Sequence, residues 1–204
     1  MTFFFVDMVS LAYNPALATS LTVLYIGLSA GTVYYCVKAT RCDPSDPTIA
    51  LQKEAEARGE VFDATDYDFE CDICATAVLS SSKHCGSCNR CVSGFDHHCR
   101  WLNNCVGTAN YKLFFRLVVV VFVMSLLHNV ANLLVLVHLF REHQPLVDSH
   151  NLFYKRVFIV EFQIAIIVAM VFNFAAFLFL GHLIAFHLML QKRQMTTYEY
   201  IRWK

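Results

Sequence analysis

Three apolar runs, residues 16–37, 113–137 and 157–190, limit what this chain can fold into more than any other feature. Each reaches the roughly 20 residues that a helix needs to cross a bilayer core of about 30 Å. The third, at 34 residues, would make about 51 Å of helix at 1.5 Å per residue, so it tilts or runs past the lipid into water. With 57% of its residues hydrophobic and only 16% charged, the chain is too apolar for an ordinary soluble domain. The expected fold class is an all-α integral membrane protein with three clear spans at 16–37, 111–137 and 157–190, carrying a small cytosolic cysteine-rich module of short hairpins. Residues 1–15 are broken by Asp7, Asn14 and Pro15 and lack the basic start of a signal peptide. They read as a luminal tail or as the remnant of a further, truncated span.

Lysine and arginine set the orientation. Residues 1–15 have none, whereas Lys38, Arg41 and Lys53 come after the first run and Arg90, Arg100 and Lys112 precede or open the second. Lys192, Arg193, Arg202 and Lys204 come after the third, while Arg141, Lys155 and Arg156 between the last two runs keep the asymmetry moderate. The consistent solution places 38–110 and 191–204 in the cytosol and the loop 138–156 in the lumen. Cytosolic cysteines stay reduced, so those of 38–110 are expected as thiolates on metal rather than as disulfides. Zero formal charge and three spans exclude a zinc-finger nucleic-acid binder.

Within 38–110, two Asp-Pro steps in Asp43-Pro44-Ser45-Asp46-Pro47 end the first helix, and residues 48–60 suit a short surface helix. Residues 63–70 are an acidic approach to the cysteine-rich stretch, and no internal repeat is evident. Between Cys71 and Cys105 stand seven cysteines and three histidines in 35 residues. Cys71-x2-Cys74 and Cys85-x2-Cys88 are metal knuckles, because a two-residue gap lets both sulfurs converge on one ion at about 2.3 Å. Cys91 and Cys105 come next, with His84, His97 and His98 interleaved. Two tetrahedral sites need eight ligands and the segment offers ten. Spacing alone leaves open which two are spare, although adjacent histidines project in different directions and need not serve one ion. Asp96 precedes the histidine pair and Cys99 succeeds it. An Asp–His–Cys set has the logic of an activated thiol: the carboxylate fixes the imidazole tautomer and the imidazole takes the thiol proton. A nearby imidazolium, or Arg100, would raise a thiolate fraction that is otherwise only a few per cent at neutral pH.

In full, the segment reads Cys71-x2-Cys74-x9-His84-Cys85-x2-Cys88-x2-Cys91-x4-Asp96-His97-His98-Cys99-x5-Cys105, with Asn110-Tyr111-Lys112 where the next span begins. It resembles the cysteine-rich domain of the DHHC protein S-acyltransferases (palmitoyltransferases). Asn103-Asn104-Cys105-Val106-Gly107 resembles the family too. Thr196-Thr197-Tyr198-Glu199 fits its Thr-Thr-x-Glu, and Asp43-Pro44-Ser45-Asp46-Pro47-Thr48 resembles its Asp-Pro-Gly element, with Thr48 where Gly is usual.

The resemblance implies two structural zinc ions, one held by Cys71, Cys74, His84 and Cys91 and the other by Cys85, Cys88, His98 and Cys105. It leaves Asp96, His97 and Cys99 as the catalytic group, with Thr197, Trp101 and Asn104 in support. The implied reaction moves a long-chain acyl group from acyl-CoA to Cys99 and then to cysteines of membrane-associated proteins. The acyl chain would lie among the membrane helices, and Lys83, Arg90 and Arg100 are candidates for the CoA phosphates. The implied location is an endomembrane (Golgi, ER or plasma membrane), with the catalytic domain cytosolic. Two departures stand out: Arg100 replaces the family's usual Pro, and one complete span rather than two precedes the cysteine-rich domain. The alternative function is a non-catalytic zinc-braced membrane scaffold that binds partner proteins; it would need neither the spare His and Cys nor Thr197. The polar residues Ser125, His128, Asn129, Asn132, Gln163, Asn173 and His182 are read as helix–helix contacts.

Overall fold

The computed structural model describes residues 15–65, 67, 69–146 and 153–204. The expected tail or span remnant lies almost wholly outside the described residues, as does the middle of the 138–156 loop. Helix α1 spans Pro15–Arg41 and α2 spans Pro47–Ala57. Six short strands come next: β1 (Phe69–Cys71), β2 (Thr76–Val78), β3 (Lys83–Cys85), β4 (Arg90–Val92), β5 (His97–Cys99) and β6 (Asn104–Val106). Helices α3 (Tyr111–Leu146), α4 (Phe153–Arg193) and α5 (Thr197–Trp203) complete the order. Among the described residues, three helices are long and apolar enough to cross a membrane, over Thr19–Arg41, Tyr111–Val137 and Gln163–Arg193. Their apolar side chains are turned outward, Val23 being 65% and Phe172 73% exposed, as a surface solvated by lipid would be. Helices α3 and α4 both extend into the expected 138–156 connection. Apolarity marks where lipid ends, whereas Arg141, Glu142 and Gln144 are good helix formers that carry the backbone onward.

The chain divides into two compact units, Met1–Thr32 with Val118–Leu183, and Val33–Leu117 with Ile184–Lys204. In the first, Phe122 stacks on Phe177 with ring centroids 4.7 Å apart, and Ser125 Oγ donates to the Asn173 carbonyl at 3.1 Å. His128 meets Tyr25 edge-on at 5.1 Å, so Ser125 and His128 do link helices. Asn129 and Asn173 instead send their amide donors to carbonyls four residues back on their own helices. His182 is exposed, which corrects its reading as a helix–helix contact.

The second unit carries three antiparallel hairpins, β1–β2, β3–β4 and β5–β6. Their registers coincide: Cys71 pairs with Thr76, Cys85 with Arg90 and Cys99 with Asn104. Each turn ends on a left-handed residue, Ala75, Asn89 or Asn103, with φ between 46° and 49°. The three hairpins therefore repeat at intervals of fourteen residues, which corrects the expectation of no repeat. The repeat lies in register and backbone conformation, and side-chain identity follows it most closely between 84–92 and 98–106, which share His, Cys, Asn, Cys and Val at equivalent places.

The hairpins hang on the Asp-Pro segment. Asp46 is buried; its carboxylate accepts from the Thr48 amide at 2.9 Å, the Leu79 amide at 2.9 Å and the Ser82 hydroxyl. Its own amide donates to the Cys91 carbonyl at 3.0 Å, and the Ser93 amide donates to the Pro44 carbonyl at 3.2 Å. Asp46 also N-caps α2, which starts with Pro47 as its missing N–H permits. Asn104 Nδ2 donates to the carbonyls of Ala39, Thr40 and Cys42, which the end of α1 would otherwise leave unpaired. Buried Asn110 donates to the carbonyls of Ala39 and Cys105. Gly107 allows this closeness, since a Cβ there would fall 2.6 Å from the Ser93 carbonyl oxygen.

Candidate active site and metal centres

A strand sends successive side chains to opposite faces. On β5, His97 and Cys99 therefore share one face and His98 takes the other, where Cys105 stands directly across from it. The same pairing puts His84 across from Cys91 on the second hairpin. Each of these His–Cys pairs meets the knuckle of the hairpin before it. The result is two groups, Cys71, Cys74, His84 and Cys91, and Cys85, Cys88, His98 and Cys105, each with its ligand atoms within 4.8 Å of one another.

Both groups could hold a metal ion, and their spacing suits a tetrahedral one. Bonds of about 2.3 Å to sulfur and about 2.0 Å to nitrogen require S···S near 3.8 Å and S···N near 3.5 Å. Cys74 Sγ lies 3.3 Å from His84 Nδ1 and 3.7 Å from Cys91 Sγ, and Cys91 Sγ lies 3.9 Å from that nitrogen. In the second group Cys88 Sγ is 3.3 Å from both His98 Nδ1 and Cys105 Sγ, and Cys105 Sγ is 3.7 Å from Nδ1. Three thiolates and one imidazole per group match zinc, and a full set of four leaves no open position.

Ten candidates minus these eight leaves His97 and Cys99. Burial opposes charge on His97, but its hydrogen bonds to Asp96 and Cys99 and their charges raise its pKa to about 9. Its Nδ1 is 2.7 Å from Asp96 Oδ2. Asp96 is buried, and its carboxylate accepts from Thr197 Oγ1 at 2.8 Å and from the Thr197 amide at 2.9 Å. Burial works to raise the Asp96 pKa, but the bonds from His97 and Thr197 outweigh it and hold the carboxyl below its ordinary value. Thr197 opens α5, whose Thr196–Glu199 capping box fixes the start of that short helix.

Burial likewise pushes the Cys99 thiol up, and the bond to His97 with the amides of Leu102 and Trp101 brings it below its ordinary value. Those two amides have counterparts in the metal knuckles. Besides burial, Cys71 feels the amides of Cys74 and Ile73, and Cys85 those of Cys88 and Ser87. Cys99 is thus the first cysteine of a third knuckle in which Leu102 replaces the second.

The remaining predicted residues have varied placements. Trp101 is 93% exposed at the tip of the third hairpin, and Arg100 beside it is exposed. Arg90 is committed to bracing: its guanidinium bonds Asp43 at 2.9 Å and Asn104 Oδ1 at 2.6 Å. Lys83 Nζ donates to the Ser80 carbonyl at 3.2 Å. Sequence reasoning missed His187, which is buried against His97, Phe114 and Tyr111. The signal that could have found it is a histidine inside an apolar run, a property it shares with the exposed His182.

Residues 65–204 match the sequence profile described as DHHC palmitoyltransferase. The chain is 34% identical over 183 residues to "Palmitoyltransferase ZDHHC11" of Homo sapiens, across 80% of this chain and 44% of that protein. It is 33% identical over 183 residues to "Probable palmitoyltransferase ZDHHC11B" of Homo sapiens, across 80% of this chain and 49% of that protein. The chain thus spans about half the length of the curated relatives it matches. With the profile covering more than half of the chain, this protein belongs to the DHHC palmitoyltransferase family.

Proposed function

We propose that this chain is a protein S-acyltransferase that moves a long-chain fatty acyl group, palmitoyl above all, from acyl-CoA to cysteine thiols of membrane-associated proteins. The observation that carries this reading is the Asp96–His97–Cys99 arrangement left over after two complete four-ligand groups. A scaffold needs the metal groups but has no use for a buried carboxylate aligned on an imidazole beside a spare thiol.

In the first step the Cys99 thiolate attacks the carbonyl carbon of the acyl-CoA thioester. The bond from that carbon to the CoA sulfur breaks, and His97 gives the departing CoA thiolate its proton. In the second, His97 takes the proton of a substrate cysteine, whose sulfur attacks the acyl-enzyme carbonyl and releases Cys99 as thiolate. One thioester replaces another in each step, so no further energy source is needed. Asp96 holds the imidazole by Nδ1 and stabilises its protonated form, and Thr197 holds Asp96. The amides of Leu102 and Trp101 favour the thiolate without contributing a proton. The two zinc ions that the Cys and His groups would hold supply rigidity when bound, pinning the hairpins that aim Cys99.

Exposed Trp101 suits the membrane interface, where an aromatic ring meets the start of the acyl chain. Burial of that chain is worth about 0.8 kcal/mol per methylene, which favours a nucleophile at the bilayer surface. Arg100 and Lys83 are the cations left for CoA phosphates, since Arg90 is held by Asp43 and Asn104. The lysine and arginine distribution supports a cytosolic hairpin module on an endomembrane. The test is acyl-enzyme formation with a clickable palmitoyl-CoA analogue on purified protein. Hydroxylamine-sensitive label on wild type and none on Cys99→Ser supports the reading; no label on zinc-replete wild type favours the scaffold.

A further inference from the structure

Acyl transfer through Asp96, His97 and Cys99 leaves unused a second imidazole packed against the first. His187, near the end of α4, is 1% exposed. Its Nδ1 lies 3.0 Å from Tyr111 Oη, and Gln191 Nε2 donates to that same hydroxyl at 3.5 Å. The hydroxyl thereby ties the His187 imidazole to Gln191, one turn further along α4.

This ring stands 6.3 Å from the His97 ring, centroid to centroid. Both imidazoles pack edge-on against Phe114, each at 5.2 Å. Phe186 touches His187 at 5.6 Å and Tyr200 of α5 at 5.5 Å, so the cage reaches the helix whose first residue holds Asp96. An aliphatic side chain would fill such a space without needing a hydroxyl partner. A buried imidazole hydrogen-bonded to a tyrosine hydroxyl is specified more tightly than packing requires.

We propose that His187 is a positioning residue for His97, held in place by Tyr111 and fixing the plane of the His97 ring between Asp96 and Cys99. A ring that cannot rotate keeps both of its nitrogens on their partners. This inference rests on the acyl-transfer reading, and its test separates the two.

The chain is reconstituted in lipid nanodiscs, and its acylation by clickable palmitoyl-CoA is followed in a single turnover. In His187→Phe, zinc content and burst amplitude stay at wild-type values while the acylation rate constant falls about tenfold, with KM for acyl-CoA nearly unchanged. Tyr111→Phe slows the step about threefold, and the double variant is no slower than His187→Phe, because the hydroxyl acts only through the imidazole. A packing role would lower zinc content and amplitude and leave the rate constant of the surviving fraction alone. A His187→Phe rate constant within about twofold of wild type, or losses that multiply in the double variant, overturns the proposal. Should His187→Phe fail to assemble, Tyr111→Phe decides: full amplitude with a slowed rate supports the proposal and a wild-type rate overturns it. Absence of hydroxylamine-sensitive label on wild type would overturn the acyl-transfer reading itself, and this inference with it.

Discussion

In the second hairpin the first knuckle sulfur, Cys85, sits in a group with Cys88, His98 and Cys105. In the third hairpin the equivalent sulfur, Cys99, has Leu102 where Cys88 would be, and α3 begins soon after at Tyr111 in place of another hairpin. The same turn, with the same pair of amides, presents a candidate metal ligand in one case and a thiol outside both groups in the other. What separates them is the company each keeps. A knuckle sulfur with three more N/S groups around it can close on an ion, and one with His97 on the same strand face stands outside both groups. A turn built to favour thiolate needs little alteration to favour a nucleophile.

Altering the two equivalent cysteines should break this comparison most visibly. Cys85→Ser removes a ligand from a group whose ion contributes on the order of 10 kcal/mol to folding of such modules. It should halve bound zinc, measured by mass spectrometry, and abolish cooperative melting of the hairpins together with all acylation. Cys99→Ser, at the corresponding position, should keep two zincs per chain and the wild-type melt. Its acyl-enzyme label should vanish, a loss of at least about a thousandfold. Loss of zinc in Cys99→Ser would mean that the third knuckle does hold metal.

Thr197→Val asks how far the third hairpin depends on a partner that the second lacks. It removes the hydroxyl bond to Asp96 but leaves the amide bond. With a charged acceptor the lost bond is worth about 1.5–3 kcal/mol, so the single-turnover rate should drop roughly ten- to a hundredfold at unchanged zinc content. An unchanged rate would show that the amide suffices. The smallest effect belongs to the first hairpin, where Ala75 holds the left-handed place that Asn fills in the other two. Ala75→Gly relieves a strain of about 1 kcal/mol and should raise the melting temperature of the hairpin module slightly, with no effect on rate. A lower melting temperature would show that the Ala75 methyl packs usefully.

The three spans were legible because apolar length is a sufficient criterion for crossing a bilayer, and the surplus of two ligands was legible by counting. The fourteen-residue repeat is written in the sequence as well, since Cys71, Cys85 and Cys99 stand fourteen apart, as do His84 and His98, and Cys91 and Cys105. Glu70 and Ala77 in the first stretch and Leu102 in the third disguise it until pairing register aligns all three. The role of Asp46 was hidden for a related reason: an Asp-Pro step announces a turn, but not that its carboxylate will gather donors from Thr48, Leu79 and Ser82. His187 escaped because its partners Tyr111 and His97 are far away in sequence, and helical periodicity places it on a face without saying what covers that face.

Asn104 is also a mechanical part. It stands directly across the strand pair from Cys99, and its amide grips the final carbonyls of α1. The height of the sulfur is thereby gauged from the end of a membrane helix. On the acyl-transfer reading proposed above, a thicker or thinner bilayer that shifts this end would carry Cys99 with it and so change the depth at which an acceptor thiol could meet the sulfur.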